Sequence, residues 1–366
     1  MLRMTEHSIT HSKPMCGWSK ICPHFFIYIG IYFDFFYIFA KLFKHVIMEY
    51  LILIGALALI IVGAMLLTDG SVALAARFRV PEFIVGLTIV AVGTSMPELT
   101  VSFISALNGE SAMAIGNVVG SNTFNILAIL GVCAVFSPIL FTKTNIRRDI
   151  PICIAATLAL LVATLINEDI SRIEGIILLV GYIVMIVLMI RAEKKTLLKN
   201  PTPAEPEQSA KPMPLWRIPV WILLGLGGLI WGGDLFVDSA SAIALAWGVP
   251  KSTIAITLVA GGTSLPELAS SLVAIFKGRA SLALGNVLGS NIANILLILG
   301  LCGTITPLSM GDVTIIDIYV TLAAATLVMI SALVIGRDKM TRFEGVVFLL
   351  CYVAYIYYLI QSSITQ

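Results

Sequence analysis

The chain has 366 residues, of which 58% are hydrophobic and 12% charged, with a mean hydropathy of +0.99. A water-soluble domain carries charge on roughly a quarter of its residues, so this composition excludes one and turns most of the surface toward lipid. The formal net charge of +2 is too small to mark a nucleic-acid partner, and none is expected.

The first 47 residues fit the rest poorly. Residues 25–43 (FFIYIGIYFDFFYIFAKLF) are rich in aromatic side chains and contain Asp34 and Lys41. They lack the Leu/Ala core and small-residue cleavage site of a signal peptide. The stretch reads as an extra N-terminal hydrophobic helix or as a loosely structured extension from a mis-assigned start. The second is expected, because an internal repeat begins at Met48. From there, apolar runs of roughly 18 to 25 residues, each enough to cross a bilayer as helix, recur to the end of the chain. They lie near 50–68, 82–107, 112–136, 150–166, 173–190, 217–238, 252–276, 281–306, 313–335 and 343–361. The predicted fold is an all-α polytopic membrane protein with ten transmembrane helices. The longest polar interruption, RAEKKTLLKNPTPAEPEQSAKPMPL at 191–215, has the composition of a solvated linker and divides the spans five and five. The expected organisation is an N-terminal extension (1–47), a first repeat (48–191), a linker (192–215) and a second repeat (216–361).

Charge orients the bundle. Lys and Arg gather in alternate connections: Arg77 and Arg79; Lys143, Arg147 and Arg148; the central linker; Lys277 and Arg279; Arg337, Lys339 and Arg342. The other connections hold only Arg172 and Lys251. By the positive-inside rule the central linker is cytoplasmic. Six cysteines (16, 22, 133, 153, 302 and 351) show no metal-type spacing and read as small hydrophobes.

The two halves are copies. Residues 91–131 (AVGTSMPELTVSFISALNGESAMAIGNVVGSNTFNILAILG) and 260–300 (AGGTSLPELASSLVAIFKGRASLALGNVLGSNIANILLILG) align without gaps, and 22 of the 41 positions are identical. The same offset pairs Asp69 with Asp238 and Met48 with Arg217, and a one-residue slip pairs SRIEG (171–175) with TRFEG (341–345). Five spans is an odd number, so consecutive copies sit in the membrane with opposite orientation. Inverted repeats of this kind are typical of secondary transporters, whose substrate site lies near the midplane where interrupted helices from both halves meet. Retention for packing alone would place the identities on apolar faces, whereas here they fall on polar and helix-breaking residues.

Each copy carries G-T-S-x-P-E inside an apolar span: Gly93, Thr94, Ser95, Pro97 and Glu98, then Gly262, Thr263, Ser264, Pro266 and Glu267. Proline cannot donate to the carbonyl four residues back and its ring opens that turn. The freed carbonyls are tolerable at membrane depth only beside protein, water or an ion. Glu98 and Glu267 are the only charged residues within 83–107, 112–136, 253–276 and 281–306. An ionised carboxylate there costs about 3 kcal/mol or more unless compensated, which leaves protonation or bound cations. All the donors are hard oxygens, suited to sodium and calcium. A single Pro-kinked helix with a protonated Glu is an ordinary structural feature; the same feature twice, symmetrically, is not.

The second motif is G-N-V-x-G-S-N-x-x-N: Gly116, Asn117, Gly120, Ser121, Asn122 and Asn125, then Gly285, Asn286, Gly289, Ser290, Asn291 and Asn294. Its i, i+4 spacing stacks polar side chains on one helix face, and its G-x-x-x-G pattern lets helices approach closely. Alone it reads as small-residue packing with Asn as interhelical glue. Beside an uncompensated Glu on the neighbouring span, its oxygens read as the completion of a cation cage.

Together these motifs resemble the two alpha-repeats of the calcium/cation antiporter superfamily, in its bacterial sodium/calcium exchanger-like, potassium-independent branch. The likeness covers residues 48–361. It implies ten helices as two inverted five-helix repeats, with cation positions around two glutamates. Carried over by motif, Glu98 and Glu267 bridge calcium, Thr94 and Thr263 contribute carbonyls and hydroxyls, and the carbonyls of Ala91 and Ala260 face sodium. Ser121 and Ser290 offer hydroxyls, and Asn125 and Asn294 line the centre. Some members, including potassium-dependent exchangers, carry Asp where Asn294 stands. Animal exchangers insert large regulatory calcium-binding domains between the repeats, for which 191–215 is too short. The implied activity is exchange of sodium for calcium by alternating access, in a monomer of a bacterial inner membrane, with no cofactor besides the transported ions.

Two other activities are compatible with the same residues. A calcium/proton exchanger could use the glutamates as proton carriers, and a passive cation channel would conduct without sodium dependence. An enzyme is not expected: His7, His11, His24 and His45 all precede the repeat, so no His-assisted nucleophile lies in the bundle.

Overall fold

The computed structural model describes residues 22–167, 169–199, 213–249, 260–311, 314–335 and 338–365. Residues 1–21, the linker stretch 200–212 and the stretch 250–259 of the expected seventh span lie outside the described residues. The chain divides into two compact units, Met1–Leu51 and Ile52–Gln366, and the architecture below is that of the second.

Helix α1 (Cys22–Phe78) contains the first span, Ile47–Phe78. Residues 22–47 are helical rather than loosely structured, and no proline between Pro23 and Pro81 interrupts the chain there. The helix stops where Arg79 takes a left-handed conformation (φ 55°) just before Pro81. Next come α2 (Glu82–Thr94) and α3 (Met96–Leu107), bent by 47° at a short break. Then follow α4 (Ser111–Phe136), α5 (Asn145–Ile166), α6 (Arg172–Lys199), α7 (Arg217–Ala246), α8 (Leu265–Phe276), α9 (Ala280–Ile305), α10 (Ile315–Val334) and α11 (Arg342–Thr365). Eight described helices are long and apolar enough to cross a bilayer, and the bent pair α2–α3 makes a ninth when counted as one span. The described part of the expected seventh span, 260–276, holds the short helical turn Ala260–Gly262 and α8, with 12 residues.

The copies begin their last helices in the same way. Ser171 and Glu174 exchange side-chain to backbone hydrogen bonds at the start of α6, and Thr341 and Glu344 do so at the start of α11. These are capping boxes, which satisfy the free N–H groups of a helix start.

Four two-residue strands report the relative orientation of the halves. Strand β1 (Ile139–Leu140) follows α4, β2 (Asp169–Ile170) follows α5, β3 (Leu308–Ser309) follows α9 and β4 (Lys339–Met340) follows α10. β1 pairs with β4 (Ile139 opposite Met340), and β2 pairs with β3 (Ile170 opposite Leu308). The connection after the third span of one half therefore lies beside the connection after the fourth span of the other. Successive connections within a half fall on opposite faces, so this pairing requires one half to be inverted. The sides agree with the charge pattern, since Lys143 and Lys339 share one face.

Burial then ranks the helices. In α4 and α9, 78% and 89% of the membrane-length window is buried, against 22–33% in α1, α6, α7 and α11. The two motif-bearing helices thus form the centre. The outer helices expose Ile54, Ile177, Leu223 and Leu350, as a lipid-facing surface does.

Glycines set the close approaches. Gly63 of α1 meets Gly225, Gly228 and Leu229 of α7 backbone to backbone. Gly285 and Gly289 of α9 press on the backbone of Phe83 and Leu87 in α2. Helix α7 also lies across both broken helices, with Leu226 against Gly93 and Val237 against Gly262.

Candidate functional site

The breaks sit where the sequence places its Pro and Gly. Ser95 (φ −82°, ψ 11°) and Ser264 (φ −91°, ψ 8°) leave helical geometry, and Pro97 and Pro266 stand in the first turns of α3 and α8. That puts Glu98 and Glu267 in first turns as well, where the unpaired N–H groups and the helix dipole favour negative charge. Both glutamates are fully buried.

The two carboxyls are cross-linked between halves. Ser95 Oγ donates to Glu267 Oε1 at 2.9 Å, and Ser264 Oγ donates to Glu98 Oε1 at 2.8 Å. Each serine of one copy serves the glutamate of the other. The second oxygens, Glu98 Oε2 and Glu267 Oε2, are buried and accept no hydrogen bond from the described residues. Among the described residues neither glutamate has a basic partner; the ion pairs Arg148–Asp149, Lys277–Asp69 and Arg279–Glu82 lie elsewhere.

Helices α4 and α9 close the site from behind. Asn117 Nδ2 donates to Glu98 O (3.2 Å) and Ser102 Oγ (3.0 Å). Asn286 Nδ2 has the matching partners Glu267 O (3.4 Å) and Ser271 Oγ (2.9 Å), with Ser270 Oγ at 3.0 Å as an addition. Thr94 Oγ1 lies 3.2 Å from Asn286 Oδ1 and 3.4 Å from Ala91 O, and Ser290 Oγ reaches the same Ala91 carbonyl at 3.5 Å. Beyond these residues, α4 and α9 widen to i→i+5 turns over Phe124–Leu130 and Asn294–Leu299, a local form frequent at functional sites.

Several buried polar atoms here have no protein partner. They are the two Oε2 atoms, Ser121 Oγ, Thr263 Oγ1, Asn294 Oδ1 and both amide atoms of Asn125. Orphans of this kind cost about 1–3 kcal/mol each when nothing satisfies them. All of them except Asn125 Nδ2 are oxygens, the donor type that hard cations such as sodium and calcium take.

Of the residues singled out from sequence, Glu98, Glu267, Thr94, Ser290 and Ala91 join one hydrogen-bonded neighbourhood. Ser121, Asn125 and Asn294 are buried on the central helices. Ala260 stands in the short helical turn Ala260–Gly262 that leads to the second break. Ser95, Ser264, Ser102 and Ser270 were not assigned as candidate ligands, nor were Asn122 and Asn291. The signal was available for all but Ser270, because Ser95 and Ser264, Asn122 and Asn291, and Ser102 and Ser271 occupy identical positions in the two copies.

Two inverted halves, each with a broken helix that carries a buried carboxylate to the centre, define a multi-pass secondary transporter. The profile of the sodium/calcium exchanger protein family matches residues 48–191 and 217–361, and the chain belongs to that family. It is 38% identical over 315 residues to CaxA of Alkalimonas amylolytica, covering 85% of this chain and 98% of that one. It is 30% identical over 341 residues to the sodium/calcium exchanger MaX1 of Methanosarcina acetivorans (84% and 97% covered). Among solved structures it superposes on the sodium-calcium exchanger NCX_Mj, soaked with zero Na+ and Ca2+, with a TM-score of 0.75 at 31% identity, over 86% of this chain and 99% of that one.

Proposed function

We propose that this cation antiporter exchanges sodium for calcium at the site between the two halves. The observation that carries the reading is the reciprocal pair Ser95–Glu267 and Ser264–Glu98, which joins two buried carboxyls that have no basic partner among the described residues. Two carboxylates supply the charge that one calcium neutralises. Glu98 and Glu267 hold calcium between them, and Thr94, Thr263, Ser121, Ser290, Asn125 and Asn294 supply neutral oxygens. The carbonyls of Ala91 and Ala260 take sodium. Both ions need the glutamates, so they compete. The empty site resists reorientation because bare carboxylates would cross a low-dielectric region, and competition becomes coupled exchange by alternating access. On this reading the chain works as a monomer in a bacterial inner membrane, its linker faces the cytoplasm, it needs no cofactor and it performs no chemistry on a substrate.

The test is calcium uptake by proteoliposomes. An outward sodium gradient drives uptake, and Glu98→Gln or Glu267→Gln lowers it by about a hundredfold or more, the scale of removing a buried charge–charge contact. Full flux in either variant sinks the reading. Uptake that needs only a pH gradient establishes proton exchange instead, and unsaturable, sodium-independent flux establishes a channel.

A further inference from the structure

Asn122 and Asn291 stand outside the proposed ligand set, yet they tie the central helices together. Asn122 Nδ2 donates to the backbone carbonyl of Asn291 at 3.1 Å, and Asn291 Nδ2 donates to that of Asn122 at 3.3 Å. A carbonyl oxygen only accepts. Each amide nitrogen is therefore assigned by its partner, and the direction of each amide oxygen follows.

For Asn122 that oxygen has a use. Its Oδ1 receives Asn294 Nδ2 at 3.0 Å. Since Oδ1 cannot donate, Asn294 has to turn its nitrogen toward Asn122, and its own Oδ1 points elsewhere, buried and without a hydrogen-bond partner. A backbone carbonyl of α9 thus sets, through Asn122 of α4, which end of the Asn294 amide is left available. The other half does not repeat the relay. Among the described residues, Asn291 Oδ1 accepts no hydrogen bond, and neither amide atom of Asn125 has a partner. One asparagine at the centre is held and its counterpart is not.

We propose that Asn122 is a positioning residue that acts through Asn294, holding it so that its amide presents an oxygen, and not a nitrogen, to the transported cation. The inference rests on the exchange reading, because it takes Asn294 to line the cation site. The rival role for Asn122 is a plain interhelical staple. The geometry separates the two, because Asn291 makes an equivalent staple bond that does not touch Asn294. Asn291→Ala removes that bond and leaves the Asn291 carbonyl that orients Asn122.

The test measures calcium binding by equilibrium dialysis, together with thermal unfolding, on the purified full-length protein. Asn122→Ala weakens calcium binding about tenfold, the effect of misdirecting one buried polar ligand. Asn291→Ala leaves binding within about twofold, although it too removes an interhelical hydrogen bond. In the Asn294→Ala background, Asn122→Ala weakens binding no further. If Asn122→Ala fails to fold, Asn122→Leu, of similar shape and unable to hydrogen-bond, takes its place in the same cycle. Equal weakening by Asn122→Ala and Asn291→Ala overturns the proposal, as does an Asn122 effect that persists without Asn294. Wild-type protein that binds neither calcium nor sodium overturns the exchange reading, and this inference with it.

Discussion

Ser95 and Ser264 each donate a hydrogen bond to the carboxyl of the opposite half. A hydrogen bond to an ionised group contributes about 1.5–3 kcal/mol. Ser95→Ala and Ser264→Ala should therefore each raise the calcium concentration for half-maximal uptake by about tenfold or more, with maximal flux retained, read in the proteoliposome assay. The two glutamates were legible in the sequence because nothing else charged lies in those spans. Their serine partners were less legible, since Ser within an apolar helix is common and only its repetition distinguishes it. The handedness of the Asn122–Asn294 relay was not legible at all. It depends on which amide end meets a carbonyl, and residue identity does not encode that.

At the scale of elements, broken helices and glycine contacts decide the packing. A Cβ built at Gly225 would sit 2.6 Å from Leu67 N and 2.8 Å from Gly63 O, whereas one at Gly227 meets nothing within 4 Å. Overpacking of a tight backbone contact costs about 1–3 kcal/mol and occasionally more. Gly225→Leu should lower the unfolding temperature of the purified protein by several degrees or prevent its accumulation, while Gly227→Leu leaves it unchanged. The breaks at Ser95 and Ser264 were readable from Gly, Pro and their spacing, because those residues act through local covalent geometry. The paired strands β1–β4 and β2–β3 were not, since two residues are too few to show an alternating pattern. Nor were the widened turns of α4 and α9, which satisfy packing between helices rather than any local preference.

For the whole molecule, the inverted arrangement followed from counting spans and locating charge, and the reciprocal strand pairing reaches the same answer independently. The halves are nevertheless not equal. Lys277 bridges to Asp69 and also donates to Met65 O, and Arg279 bridges to Glu82. The position equivalent to Lys277 in the first half holds Asn108, so the Lys277–Asp69 pair has no counterpart on the other face. Lys277→Met should change the ratio of calcium affinities measured from the two faces of oriented vesicles by about threefold, within the range of a partly exposed ion pair. The reciprocal swap, Asp69→Lys with Lys277→Asp, should restore it.

The borrowed serines also constrain where this architecture came from. An ancestor encoding a single copy could not have completed its own pocket, because the hydroxyl that each glutamate needs lies on the other copy. Such an ancestor would have functioned only as an antiparallel homodimer, with duplication and fusion following afterwards. For the present gene, the same dependence means that damage to one half is registered in the other, and no lesion at the pocket is private to the repeat that carries it.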